Sequence, residues 1–511
     1  MATKEFEAYG FIDSPESVSA WLAANCLDAA LCSIIVGGSM YNMSTVQLPV
    51  QHLQHLSILR LADVRVATTQ YSSPHAAAPA EASPHPLGLA PLTALRQLDV
   101  TDCDMHLDSL SALTDLQYLA FSASRGVCCQ AVSASLQELA VALPALQRLT
   151  CLSLAGDLGH DAIVQQVHSL GCLQELYVSC ACTVSSFQLM PPSLTKLVII
   201  SKDIHNLQLS PSTTPGLCHL TALKKLIVPR TSFSVELLSH MTSLQMLDLA
   251  QASLEGPGGL SVLTGLTQLQ HLALPKAEEV EPVLQGTAGL AAITASSQLT
   301  YLDISTSLES SHECLQAFQG KKLPHLVELR ISLPGLSDER TAPLVAKCCP
   351  NLLRLWCGSD TDPGEADREA AWSAAGALPG ALACWAEPDS TGQGLTSLQL
   401  AVAHIDMIEV WPALGCLTQL RSLCVLGAGP DMLPGMLELQ DCVYLSELRI
   451  TTYHSEVYSD AHIRVVSEVS RTQCAHHSQI CGQALHRLFL FTGCSFPWAF
   501  PLHEHASDIA K

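Results

Sequence analysis

Charge is scarce in this chain. Only 14% of its 511 residues are Asp, Glu, Lys or Arg, against roughly 25% in ordinary globular proteins. The surface is therefore dressed with Ser, Thr, Gln, His, Ala and small apolar groups. Positive charge is scarcest: 25 Lys and Arg face 47 Asp and Glu, a formal charge of −22. That sign repels phosphate, so nucleic acid is not an expected partner. Asparagine occurs only four times. The opening MATKEFEAYGFIDSPES lacks a basic start followed by an apolar core, so no secretory signal is read there. Long apolar runs are missing too. The longest, Trp21–Gly38, is interrupted by Asn25 and Asp28 and falls short of the roughly 20 apolar residues of a membrane span. No phosphate-binding Gly-x4-Gly-Lys-Ser/Thr, no His-Glu-x-x-His and no Gly-x-Ser-x-Gly is present. The expectation is a chain that is not an enzyme, carries no cofactor and does not enter a membrane.

Apolar residues are plentiful, at 48% with a mean hydropathy of +0.27, so a large packed interior is expected. Length alone predicts about three domains. A repeat overrides that count, because a stack of coils grows without a new core for each segment. The repeat here is Leu-x-x-Leu-x-Leu. A degenerate first copy is Leu31/Ile34/Val36, followed by Leu56/Leu59/Leu61, Leu95/Leu98/Val100 and Leu116/Leu119/Phe121. Leu173/Leu176/Val178, Leu194/Leu197/Ile199, Leu223/Leu226/Val228, Leu244/Leu247/Leu249 and Leu269/Leu272/Leu274 continue it. The later copies run from Leu299/Leu302/Ile304 through Leu326/Leu329/Ile331 and Leu352/Leu355/Cys357 to Leu485/Leu488/Leu490. Leu136/Leu139/Val141 and Leu149/Leu152/Leu154 both fit but lie only 13 residues apart, too close for two full repeats. Other spacings include 21, 25, 26 and 27 residues, inside the 20–29 window of leucine-rich repeats.

On these residues the chain resembles the leucine-rich-repeat family from about 31 to 493, of the intracellular ribonuclease-inhibitor-like or plant and algal kinds. The resemblance implies an α/β solenoid, a curved horseshoe with a parallel concave sheet and short helices or 3₁₀ turns on the convex side. Alternation at the last two leucines is the period-2 signature of a strand with one buried face. Upstream segments such as LSALTDL at 110–116 and LCHLTAL at 217–223 space leucines three apart, as a short helical turn would. Family repeats often carry Asn three residues after the third leucine. Here Cys103, Thr231, Ala252 and Ser307 stand there, which predicts irregular turns.

Residues 1–30 read as an N-terminal cap, with Asp13-Ser14-Pro15-Glu16 starting a helix. The array occupies 31–493, with insertions near 64–89, 359–392 and 451–482, and 494–511 form a C-terminal cap. Of the 21 cysteines, Cys151, Cys172, Cys349 and Cys416 are read as small buried residues, reduced in an intracellular protein.

Outward strand positions are the candidate site. They include Asp99, Tyr118, Tyr177, Asp248, Tyr301, Asp303, Arg330, Arg354, Trp356, Arg449 and Arg487. Aromatic residues and Arg anchor protein interfaces, so Tyr118, Tyr177, Tyr301, Arg330, Arg354, Trp356, Arg449 and Arg487 are read as a partner-binding stripe, the arginines suited to an acidic partner. As a metal site, Cys474, His476, His477 and Cys481, near His503-Glu504-His505, match no zinc spacing, and a polar loop is the plainer reading. The expected function is a non-catalytic scaffold that binds protein partners, monomeric and cytoplasmic. Two alternatives stay open. Cys349-Pro350-Asn351-Leu352 resembles the coils of F-box-associated leucine-rich proteins, which implies a substrate-recognition subunit of a ubiquitin ligase, although residues 1–30 do not look like an F-box. The other is a structural component of the ciliary axoneme, implied by the family alone.

Overall fold

The computed structural model describes residues 4–8, 31–37, 44–48, 53–62, 64–68, 89–103, 108–123, 129–156, 161–179, 187–200, 207–256, 259–276, 286–308, 311–332, 334–336, 340–358, 378–386, 394–401, 410–426, 438–439 and 441–451. The chain divides into two compact units, Met1–Ser296 and Ser297–Lys511.

In the first unit, each leucine frame except Leu136/Leu139/Val141 becomes a strand, and each strand of the series pairs in parallel with the next. The order is Lys4–Ala8, Leu31–Gly37, Ile58–Ala62, Gln97–Thr101, Tyr118–Ala123, Cys151–Gly156, Glu175–Ser179, Lys196–Ile199, Lys225–Ile227, Met246–Asp248 and His271–Ala273. Register is fixed by the middle framed residue. Ile34, Leu59, Leu98, Leu119, Leu152, Leu176, Leu197, Leu226, Leu247 and Leu272 lie opposite one another, each at most 1% exposed. The second unit repeats the plan with Tyr301–Ile304, Glu328–Ile331, Arg354–Cys357, Ser397–Ala401, Ser422–Leu426 and Glu447–Thr451. These are stacked leucine-rich repeats. A single strand cannot bury its apolar face; a row of them buries it completely.

The strands are held by a repeated device. Two consecutive amides at the strand entrance share one carbonyl of the preceding coil, as Thr150 and Cys151 share Gln117 O and Gln174 and Glu175 share Thr150 O. Where the first of the two is Ser or Thr, its hydroxyl often adds a third bond. Ser57 Oγ donates to Cys32 O at 2.9 Å, Thr150 Oγ1 to Gln117 O at 3.0 Å and Thr396 Oγ1 to Leu353 O at 3.1 Å. Hydroxyls at the strand entrance thus tie coil to coil without an amide side chain.

At the strand exit the backbone turns through a left-handed residue two positions after the third frame residue. Asp102 (φ 51°), Arg230 (φ 58°) and Gln251 (φ 65°) all sit there. Beyond them Thr231 Oγ1 donates to Val228 O at 2.9 Å, whereas Ala252 has no hydroxyl to give and its turn closes with Ala252 N to Leu249 O at 2.8 Å and Ala250 N to Asp248 Oδ1 at 3.0 Å. Both turns make the same left-handed step, so missing Asn does not produce the predicted irregularity at these two coils.

The back of the coils varies along the chain. Leu223 to Leu244 is 21 residues, and that coil has a second short strand, Ser232–Ser234, and a 3₁₀ turn, Val235–His240. Ser232–Ser234 pairs with Gln208–Leu209 and Ser253–Glu255 in a separate three-stranded parallel sheet. The 27- and 26-residue coils from Leu299 and Leu326 carry α-helices instead, Ser311–Phe318 and Thr341–Cys348.

Several expectations change. Leu136 and Leu139 belong to the helix Cys129–Ala142, with Val141 82% exposed; Leu149/Leu152/Leu154 is the strand frame. Within the span read as an N-terminal cap, Lys4–Ala8 is a strand that places Phe6 opposite Ile34, while the helix expected over 14–30 lies outside the described residues. The insertion read over 64–89 begins with a strand, Val64–Thr68, paired with Ser44–Leu48. The insertion over 359–392 contains a short helix, Leu378–Ala386. Nothing beyond 451 is among the described residues, so the third insertion, the C-terminal cap and Leu485/Leu488/Leu490 lie outside them.

Candidate partner-binding face

Two residues in each strand alternate with the buried frame leucines and point to the opposite face of the sheet. Register aligns them into two columns. In the second unit one column reads Tyr301, Glu328, Arg354, Ser397 and the other Asp303, Arg330, Trp356, Gln399. Four residues read from the sequence as partner anchors, Tyr301, Arg330, Arg354 and Trp356, therefore meet on three adjacent strands.

Arg330 organises the group. Its guanidinium lies over the Tyr301 ring at 5.4 Å and over the Trp356 ring at 5.3 Å, so two aromatic faces embrace one cation. Its Nε reaches Glu328 Oε1 at 3.3 Å and its Nη1 reaches Asp303 Oδ2 at 3.8 Å. The other Glu328 oxygen takes Arg354 Nη1 at 3.3 Å. Asp303 also accepts the Ser305 amide at 3.1 Å and its hydroxyl at 2.7 Å, and Tyr301 donates to it at 3.2 Å. Burial pushes the Tyr301 phenol well above its usual value, with Asp303 adding to it. Burial works against the Arg330 charge, but Tyr301, Asp303 and Glu328 outweigh it and raise its pKa.

Trp356 departs from the sequence reading, which makes it an exposed anchor. It is only 6% exposed, because Arg330 covers one face, and its Nε1 has no hydrogen-bond partner. Beside it lies a hollow of about 170 Å³ lined by Glu328, Arg330, Arg354, Leu355, Trp356, Ser397 and Gln399. Of the arginines, Arg330 and Arg354 share Glu328, and Arg449 Nη2 meets Glu447 Oε1 at 3.4 Å. Arg354 keeps most of its surface open, with its side chain 64% exposed. Arg487 and the Cys474, His476, His477, Cys481 cluster lie outside the described residues. Among the described residues no group of three or more His, Cys, Asp or Glu is placed to hold a metal ion.

The first unit carries a smaller cluster of the same kind. Tyr177 donates to Glu175 Oε2 at 2.8 Å, Lys196 Nζ lies 3.7 Å from the same oxygen and 4.6 Å from the Tyr177 ring centre. Tyr118 sits two strands earlier, its phenol raised by burial and by Asp99. Asp99 is itself raised by burial, against the pull of Arg60. Asp248 accepts the Ala250 amide at 3.0 Å, a turn contact. Sequence reasoning passed over Glu175, Lys196 and Glu328, although they occupy the same outward frame positions as the residues it named; pairing across adjacent frames would have found them.

The cysteines divide. Cys349 is buried, as expected, but Cys172 and Cys416 are exposed and Cys151 is intermediate. Cys172 and Cys416 each directly precede a leucine that is buried, Leu173 or Leu417, and so fall on the outside of the turn. Burial raises Cys151 to about 11. In the Cys349-Pro350-Asn351-Leu352 coil, Cys349 and Leu352 are core residues and Asn351 Nδ2 donates to Pro324 O at 2.7 Å, so this motif joins neighbouring coils.

No helix among the described residues is long and apolar enough to cross a membrane. No family model matches the chain, and no curated protein does. Solved structures similar to it include an internalin from Listeria monocytogenes, 16% identical over 80% of this chain and 93% of that one, with a TM-score of 0.42. A leucine-rich-repeat protein of Leptospira interrogans is 13% identical over 92% of this chain and 99% of its own, at 0.41. The functional domain of a second Listeria internalin, described as including a cysteine ladder, is 15% identical over 73% and 62%, at 0.31. The fold assignment rests on the strand registers given above.

Proposed function

We propose that this array of stacked leucine-rich repeats is a non-catalytic scaffold that binds a protein partner on the open face of its sheet, in the cytoplasm and as a monomer. The observation that carries the reading is the Tyr301–Arg330–Trp356 stack with Arg354 beside it. Aromatic rings and guanidinium groups dominate the energetics of protein interfaces, and here they are held in place before any partner arrives. A second support is the chemistry of the thiols. Every cysteine with a resolved shift is raised by burial, including Cys314, Cys349 and Cys357, the opposite of an activated nucleophile. Buried thiols of this kind fit a reducing compartment. The motif behind the ubiquitin-ligase alternative, Cys349-Pro350-Asn351-Leu352, serves packing between coils and so adds no support to that reading.

The test is affinity capture from cells with quantitative mass spectrometry, using the full chain, Arg354→Glu, Arg449→Glu and Arg148→Glu. Arg148 is exposed and lies off the outward columns, paired with Asp115 at 2.7 Å. A specific partner is expected to fall at least about tenfold with Arg354→Glu, a loss of roughly 1.4 kcal/mol, and to survive Arg148→Glu. Equal capture by all four proteins overturns the reading.

A further inference from the structure

Resting on that reading, we propose that the hollow beside Trp356 is the receptor for one acidic side chain of the protein partner, a Glu or Asp carboxylate. The hollow holds about 170 Å³, far below the roughly 300–1,000 Å³ of small-molecule sites and of the size of a single side chain. Its occupant is a protruding residue of a larger surface.

The balance of donors and acceptors selects the chemistry. Glu328 supplies the carboxylate of the wall, and both its oxygens are already taken, Oε1 by Arg330 and Oε2 by Arg354. Arg354 spends one nitrogen on that contact at 3.3 Å, and a guanidinium carries five N–H groups in a planar fork. Its side chain is 64% exposed, so the rest of the fork faces solvent and is open to an incoming acceptor. Trp356 adds its indole ring to the lining. Ser397 and Gln399 add neutral polar groups, so among the described residues that line the hollow Glu328 is the one anion. A lysine or arginine of the partner would instead meet the Arg330 and Arg354 charges.

A carboxylate has to approach a chain of formal charge −22, so selection must come from short-range donors rather than from long-range steering. Binding is therefore expected to weaken little with added salt, since screening reduces the general repulsion as well as the local attraction.

The full chain has six tryptophans. Labelled with 5-fluorotryptophan, it gives resonances among which Trp356 is assigned by comparison with Trp356→Phe. N-acetylglutamate methylamide is titrated against N-acetylglutamine methylamide at constant ionic strength. The expected result is a saturable shift of the Trp356 resonance by the carboxylate, at least tenfold weaker with the neutral amide and at least tenfold weaker in Arg354→Gln. No shift, an equal shift by the two probes, or full retention in Arg354→Gln overturns the proposal. If Trp356→Phe fails to fold, the Trp356 line is taken as the one that Arg354→Gln displaces in the absence of probe, and the same outcomes decide. The titration uses no protein partner, so its failure is distinguishable from a failure of the capture experiment.

Discussion

Two stretches of this chain build the same repeat in different ways. From 207 to 276 the outward-face strands are three residues long, and a second parallel sheet and 3₁₀ turns close the back. From 286 to 358 the strands have four residues, and α-helices close the back. The two stretches differ on the other face as well. The 3₁₀-backed coils present Lys225, Ile227, Met246, Asp248 and His271, none of them Tyr, Trp or Arg. The helix-backed coils present the Tyr301, Arg330 and Trp356 stack. What differs between the two stretches is therefore both the back and the cargo of side chains on the face.

The largest expected effect probes the two backs. Phe233, in the second sheet, and Phe318, at the end of a helix, are both fully buried. Phe233→Ala is expected to cost about 4 kcal/mol and Phe318→Ala about 3 kcal/mol by chemical denaturation. The strand carrying Phe233 is fixed by pairing on both sides, so its cavity relaxes less than one at a helix terminus. A larger loss at Phe318 would break the comparison.

Next come the thiols. Cys314, Cys348, Cys349 and Cys357 of the helix-backed coils are buried, whereas Cys218, in the 3₁₀ turn Pro215–His219, is partly exposed. Native-state alkylation near pH 8 is expected to modify Cys218 at least about a hundredfold faster than those four, because only an accessible thiolate reacts. Burial also raises the four thiols. The folded state thus holds protons that the unfolded chain releases near the usual thiol value of 9.0. Stability in the helix-backed coils is accordingly expected to fall as pH rises above about 9. Comparable labelling of all five residues at pH 8 would show that the helix-backed core is open.

The smallest effect compares the faces. Arg330→Ala leaves Asp303 and Glu328 without their shared cation and is expected to cost about 1–2 kcal/mol. Lys225→Ala, at an exposed position, is expected to change stability by less than about 0.5 kcal/mol. Equal losses would mean that the stack adds nothing to the fold.

The frame leucines made the sheet legible, because period-2 alternation and a fixed spacing state both which face is buried and which strands are neighbours. Other features left weaker traces. Leu136 and Leu139 mimic the frame because leucines three apart also line a helix. The second sheet is built from Ser232–Ser234 and Ser253–Glu255, segments too short and polar to signal a strand. Lys4–Ala8 carries Phe6 in place of a leucine frame. At the candidate site, the sequence pointed to the residue types but not to their partners. That Glu328 bridges two arginines depends on register across strands 26 residues apart, and that Trp356 is buried depends on where Arg330 comes to rest.

The account depends most on the framed segments lying side by side in the stated register. Lys225→Cys with Met246→Cys places two thiols on directly paired residues, about 5 Å apart across neighbouring strands. Lys196→Cys with Met246→Cys places them two strands apart. Treated with a thiol cross-linker that spans only a few ångströms, and mapped by mass spectrometry, the first pair is expected to bridge in good yield and the second to remain unbridged. Bridging of the second pair but not the first would contradict the stacking on which the fold and its binding face both depend.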